Sequence, residues 1–161
     1  MDTPEIRRGT TLYLPVSVEG AHLAIGDGHA RQGEGELCGT AVESAMRTTI
    51  VVDVVKGAGL HWPRLQNDDY IMSTGSVKPL EDAFRVSQHD LVMWTSQLTG
   101  LDNLDALQLV SQAGLAPTGN VVDPNYTMVA KLPTRVLNGA TVFDGIHEQL
   151  AAVAQKHLAQ R

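Results

Sequence analysis

Tyr70-Ile71-Met72-Ser73-Thr74-Gly75, followed after Pro79 by Leu80-Glu81-Asp82-Ala83-Phe84-Arg85-Val86-Ser87-Gln88-His89-Asp90-Leu91-Val92-Met93-Trp94-Thr95-Ser96-Gln97-Leu98, is where the chain changes period. The first piece reads as a strand. In the second, Leu80, Phe84, Leu91, Trp94 and Leu98 recur at helical spacing. Gly100 is placed to end that helix. Asp102 is placed to cap a second one from Asn103 to Ala113, with Leu104, Leu107 and Val110 on one face and Gly114 beyond its end.

Upstream of this switch the pattern is β. Over residues 10–18, Leu12, Leu14, Val16 and Val18 alternate onto one face, and Pro15 marks an edge or a bulge. Glu19-Gly20 reads as a turn, residues 21–26 as a short strand and residues 36–44 as another. The β-branched run Thr48-Thr49-Ile50-Val51-Val52-Asp53-Val54-Val55 is the strongest strand by propensity. Downstream, strands are expected at 119–122 and 126–132. A last amphipathic helix, from Gly145 to about Gln160, presents Ile146, Leu150, Val153 and Leu158. The fold class expected is mixed α+β and β-rich: a sandwich-like β core with an inserted helical pair and a C-terminal helix. No repeat or linker interrupts the 161 residues, so 1–161 reads as a single domain, long enough to bury a core without staples.

Composition narrows the function classes. Hydrophobic residues make up 43% and charged residues 19%, which is the balance of a folded globular chain rather than a disordered one. The net charge of -6 comes without a basic stripe, so no nucleic-acid partner is expected. No apolar run is long enough to span a bilayer, and no membrane partner is expected. One cysteine excludes an internal disulfide and fits a reducing, cytoplasmic setting. Met1-Asp2-Thr3-Pro4-Glu5 is polar and acidic, unlike a signal peptide.

The chemistry concentrates in Gly26-Asp27-Gly28-His29-Ala30-Arg31-Gln32-Gly33-Glu34-Gly35-Glu36-Leu37-Cys38-Gly39. Acids plus an imidazole are a ligand set for a divalent metal and also the kit for general acid–base catalysis. Closely spaced glycines let the backbone approach a ligand. Read for structure alone, Asp27 caps a turn, His29 is a packed histidine, the glutamates are solvated and the glycines only turn the chain.

These residues, taken in order with others, resemble a known family. Met1-Asp2-Thr3, Leu12-Tyr13-Leu14-Pro15-Val16, Gly26-Asp27-Gly28-His29-Ala30 and Gln32 through Glu43 look like the acetamidase/formamidase family. So do Tyr70 through Gly75, the segment Leu80–Leu98, Ala106–Gly114 and Val121-Val122-Asp123-Pro124-Asn125. The resemblance spans roughly residues 1–137 and covers the C-terminal half of a family member of about twice this length. It lacks the half that ends in Gly-Gly-Asn just before Met-Asp. Glu34 stands where the family usually carries aspartate.

The resemblance implies hydrolysis of a small aliphatic amide, formamide or acetamide, to the carboxylic acid and ammonia. It also implies a divalent metal, zinc foremost, near the glycine-rich loop. Manganese, iron and calcium-type sites accept the same donors. On this reading Asp27 and His29 ligate the metal, with Asp2 as a further ligand. Glu36 is the general base, with Glu34 second. Gln32 and the N–H groups of Gly33 or Gly35 face the oxyanion. Glu43 either orients a ligand or is an exposed strand charge. Cys38 carries a rival mechanism, a thiolate nucleophile activated by His29 or Glu36; otherwise it is a core residue. His61 lies in a loop that lines the pocket or merely flanks it. His22 sits beside a turn, and His89, His147 and His157 read as surface residues. Expected partners are the amide substrate and either further copies of the chain or a missing N-terminal half. In the latter case this chain is an incomplete or non-catalytic subunit.

Overall fold

The longest helix, α1 (Leu80–Thr99), lies across the two longest strands, β5 (Tyr70–Val77) and β7 (Tyr126–Pro133). The computed structural model describes residues 1–160. β5 and β7 pair antiparallel along their whole length, from Tyr70 opposite Pro133 to Val77 opposite Tyr126. Around them the sheet is completed by β1 (Thr11–Tyr13), β4 (Arg64–Gln66) and β6 (Thr118–Asn120), in the order β1-β4-β5-β7-β6. A separate ribbon joins β2 (His29–Arg31) to β3 (Val42–Glu43). The fold is mixed α+β, built on two antiparallel sheets, with the helical pair between β5 and β6 in the chain and a helix near the C-terminus.

The helix ends follow the sequence. Gly100 adopts the left-handed conformation (φ 74) and its N–H bonds the Ser96 carbonyl. The Asp102 carboxylate accepts from the N–H groups of Leu104 and Asp105 and starts α2 (Asn103–Ala113). Two short 3-10 turns, Thr134–Val136 and Phe143–Gly145, lead into α3 (Ile146–Leu158). No helix among the described residues is long and apolar enough to cross a membrane.

Alternation along β5 divides the interior. Ile71 faces α1 and α2 and packs with Leu91, Trp94, Ala106, Val110, Ala130, Leu132, Val142 and Ile146. Met72, one residue on, points to the other face and joins Leu65 and Val129 in a smaller cluster. Gly75 sets how closely the helix sits. A Cβ there would collide with the Ala83 carbonyl and the Ser87 N–H, so only glycine lets α1 lie flat on β5. A buried ion pair pins the same contact. Arg64 of β4 donates Nε and Nη2 to both Asp90 carboxylate oxygens at 2.7 and 2.8 Å, and Ser73 donates to one of them at 2.6 Å. The guanidinium also lies 4.7 Å over the Trp94 ring.

The β reading of the first third requires correction. The strand expected over 10–18 is confined to Thr11–Tyr13, and Val16 and Val18 are each 68% exposed. Residues 21–26 and 48–55 form no strand, and of 36–44 only Val42–Glu43 pairs. Val52 and Val54 are 64% and 68% exposed. β-propensity expresses itself through cross-strand packing, and none of the described strands pairs with this run. His147, expected at the surface, is buried instead. Its Nδ1 lies 2.8 Å from the Thr11 hydroxyl and its Nε2 3.2 Å from Asp68, which fastens α3 to β1.

Candidate functional site

The glycine-rich stretch is a loop, ribbon and strap rather than a continuous strand. Asp27 takes a left-handed backbone (φ 56) before β2. His29 then pairs directly opposite Glu43 across the ribbon. Ligating atoms of Asp27, His29 and Glu43 all lie within 4.8 Å of one another. Two sequence-expected ligands, Asp27 and His29, are thus brought together. The third member of the group is Glu43, not Asp2.

His29 is the buried member, its side chain 6% exposed. Its Nε2 lies 3.9 Å from Asp27 Oδ1 and 3.3 Å from Glu36 Oε1, yet it makes no hydrogen bond. A buried polar atom without a partner costs about 1–3 kcal/mol. An imidazole nitrogen beside two carboxylates is also the donor set that zinc, manganese or iron accepts. The residues present therefore fit a divalent ion.

Glu36 reaches this histidine from a strap along the sheet edge. The Gly35 N–H donates to the Thr118 carbonyl and the Gly35 carbonyl accepts from Val121, so this segment runs beside β6. The Gly35 N–H is thereby committed to the sheet rather than to an oxyanion. Gly35 (φ 81) and Glu36 (φ 46) are both left-handed. For glutamate that conformation costs about 1–3 kcal/mol, strain of the kind that collects at functional sites. It turns the side chain inward, where Glu36 is 6% exposed. Burial pushes its carboxyl up from the ordinary carboxylate range; hydrogen bonding and charge from Asp2 and the charge of Asp123 add to this, and His29 opposes it.

Asp2 sits on the far side of Glu36. Its Oδ2 accepts from Gln32 Nε2 at 3.1 Å and from Asn120 Nδ2 at 2.9 Å. Asn120 also donates to Glu36 Oε2 at 2.7 Å and is fully buried. Sequence reasoning missed Asn120, although the signal was there. An asparagine three residues before an aspartate and a proline is a turn former, and its side chain does accept from the N–H groups of Val122 and Asp123.

The remaining candidates lie further out. Glu34 and Gly33 are exposed; the Gly33 carbonyl accepts from the Glu36 N–H. Cys38 is exposed, not core, with Sγ 3.5 Å from the Thr40 hydroxyl. That hydroxyl, and backbone groups at Thr40 and Ala41, hold the thiol below its ordinary range. His61 is exposed and outside the cluster.

A model of the acetamidase/formamidase family matches residues 1–138. The crystal structure of an acetamidase from Yersinia enterocolitica superposes with a TM-score of 0.83 at 50% identity, over 85% of this chain and 42% of that one. An acetamidase from Bacillus halodurans gives 0.73 at 29% identity, over 88% and 48%. The acetamidase of Mycolicibacterium smegmatis is 38% identical over 81 residues, which are 49% of this chain and 19% of that protein. The chain therefore spans less than half the length of the relatives it matches.

Proposed function

The chain belongs to the acetamidase/formamidase family, and on that premise we propose that it hydrolyses a small aliphatic amide, formamide or acetamide, to carboxylate and ammonia. The observation that carries this reading is the buried Nε2 of His29, without a hydrogen bond and 3.3 Å from a buried glutamate. Asp27, His29 and Glu43 are the residues that would hold a divalent ion, zinc foremost. Such an ion supplies polarisation of the amide carbonyl and a more acidic water.

The chain's own residues supply the rest. Glu36 Oε1, the oxygen not taken by Asn120, accepts the proton of the attacking water and delivers it to the leaving nitrogen. Its burial raises its affinity for that proton and so strengthens it as a base. Gln32 is anchored by the bond its Nε2 donates to Asp2 Oδ2, and on this reading its side chain serves the oxyanion. The single cysteine fits a cytoplasmic setting.

A specific observation favours a second element. The exposed apolar residues Val16, Val18, Leu23, Ile25, Ile50, Val52 and Val54 all fall in the poorly paired region before β4. Isolated apolar side chains at a surface are ordinary, but a concentration of them marks an interaction face. We propose that these residues pack against a polypeptide equivalent to the part of the solved acetamidases that this chain does not match, and that catalysis needs that partner. Self-association is the competing occupant.

The test is ammonia release from formamide and acetamide by the purified chain, with and without a chelator, alone and mixed with such a partner fragment. Chelator-sensitive release by the chain alone supports the hydrolase and removes the need for the partner. Release only in the mixture supports both. No release under either condition, from folded chains that do associate, overturns the hydrolase reading.

A further inference from the structure

We propose that Asn120 is the positioning residue of this site: it fixes which oxygen of Glu36 is turned toward His29. The inference rests on the reading of Glu36 as the base, but the contacts stand without it. Asn120 has no freedom to flip. Its Oδ1 accepts from the N–H groups of both Val122 and Asp123 at 2.9 Å, so Nδ2 must point the other way. There both amide hydrogens are used, one on Glu36 Oε2 at 2.7 Å and one on Asp2 Oδ2 at 2.9 Å. Each hydrogen bond constrains the others, and the side chain is fully buried.

The consequence is geometric. With Oε2 held, Oε1 is the Glu36 oxygen left at 3.3 Å from His29 Nε2. Asn120 Nδ2 donates to one oxygen of each acid, Asp2 Oδ2 and Glu36 Oε2, and so ties the two carboxyl groups to one another. Asn120 thus joins residues distant in sequence and substitutes a neutral donor for a cation, which would itself compete for the carboxylates. A turn-forming asparagine with no further task would need only its oxygen.

Two variants separate these roles. Asn120→Asp keeps the oxygen that accepts from Val122 and Asp123 but replaces the donor with an acceptor. Glu36→Gln leaves Asn120 intact and removes the carboxylate it holds. The first readout is the Asn120 side-chain amide in a nitrogen-labelled full-length chain. We expect slow hydrogen exchange in the wild type and a clear shift of this signal in Glu36→Gln. The second readout is kinetic. We expect Asn120→Asp to lower kcat about 100-fold, the scale of a misplaced catalytic group, with KM changed less than about threefold and the Val122 and Asp123 amides still protected.

An Asn120 amide that does not move in Glu36→Gln, or an Asn120→Asp chain with wild-type kcat, overturns the proposal. If the wild type releases no ammonia under any condition while the Asn120 amide shifts as expected, the clamp stands and it is the hydrolase reading that fails.

Discussion

His29 Nε2 and Glu36 Oε1 face each other across 3.3 Å in the interior of the site, without a hydrogen bond between them. On the proposed reading the nitrogen serves a metal ion and the oxygen a proton. His29→Ala should therefore weaken divalent-metal binding and abolish turnover together. Glu36→Gln should keep the metal and lose roughly 100- to 10,000-fold in rate, the usual range for a general base. Metal titration by calorimetry, run beside ammonia release, separates the two. A Glu36→Gln chain with near-native turnover would remove Glu36 from the mechanism.

Cys38 gives a prediction of opposite sign. Its thiol is held below the ordinary range chiefly by the Thr40 hydroxyl, with backbone hydrogen bonds contributing. Alkylation by iodoacetamide should therefore begin at lower pH than for a free cysteine, and Thr40→Val should move the midpoint upward. The alkylated chain should keep its amidase rate, because Cys38 is exposed and its side-chain partner is Thr40 rather than a base. Loss of activity in step with alkylation would restore the thiolate mechanism.

The Arg64–Asp90 pair is a different kind of contact, buried at both ends. Removing one member strands the other charge in the interior. Asp90→Ala should cost about 3–5 kcal/mol in urea unfolding, and it also leaves the Ser73 hydroxyl without its acceptor. A loss below 1 kcal/mol would mean that water reaches Arg64.

Apolar residues of the same size should behave in two classes. Ile71→Ala, in the main core, should cost about 2–5 kcal/mol. Val52→Lys and Val54→Lys should change the stability of the chain alone by less than about 0.5 kcal/mol, as exposed sites do, and should block association with the partner fragment. Large destabilisation by either valine variant would show that residues 48–55 are packed within this chain.

Helices and sheet were not equally legible in the sequence. α1 and α2 were readable because their determinants are local: the spacing of Leu91, Trp94 and Leu98, the Asp102 carboxylate and Gly100. β5 and β7 also announced themselves. Thr48–Val55 reads as a strand by its β-branched residues and is not one, because a strand is a relation between two segments and this one has no neighbour here. The site divides the same way. Asp27, His29 and Glu36 stood out as reactive groups among glycines. Asn120 belongs to the site through a contact 84 positions away, which no window along the chain reveals.

Those separations also bear on how the protein comes into being. Glu36 meets Asn120 across 84 residues and Asp2 meets it across 118, whereas α1 and α2 pack over a connection of only residues 100–102. Closing the long loops is entropically costly and comes late, while the helical hairpin needs little closure. A refolding chain should thus recover its far-ultraviolet helical signal well before any site exists. The species that accumulates when refolding stalls would be helical, collapsed and unable to bind a metal.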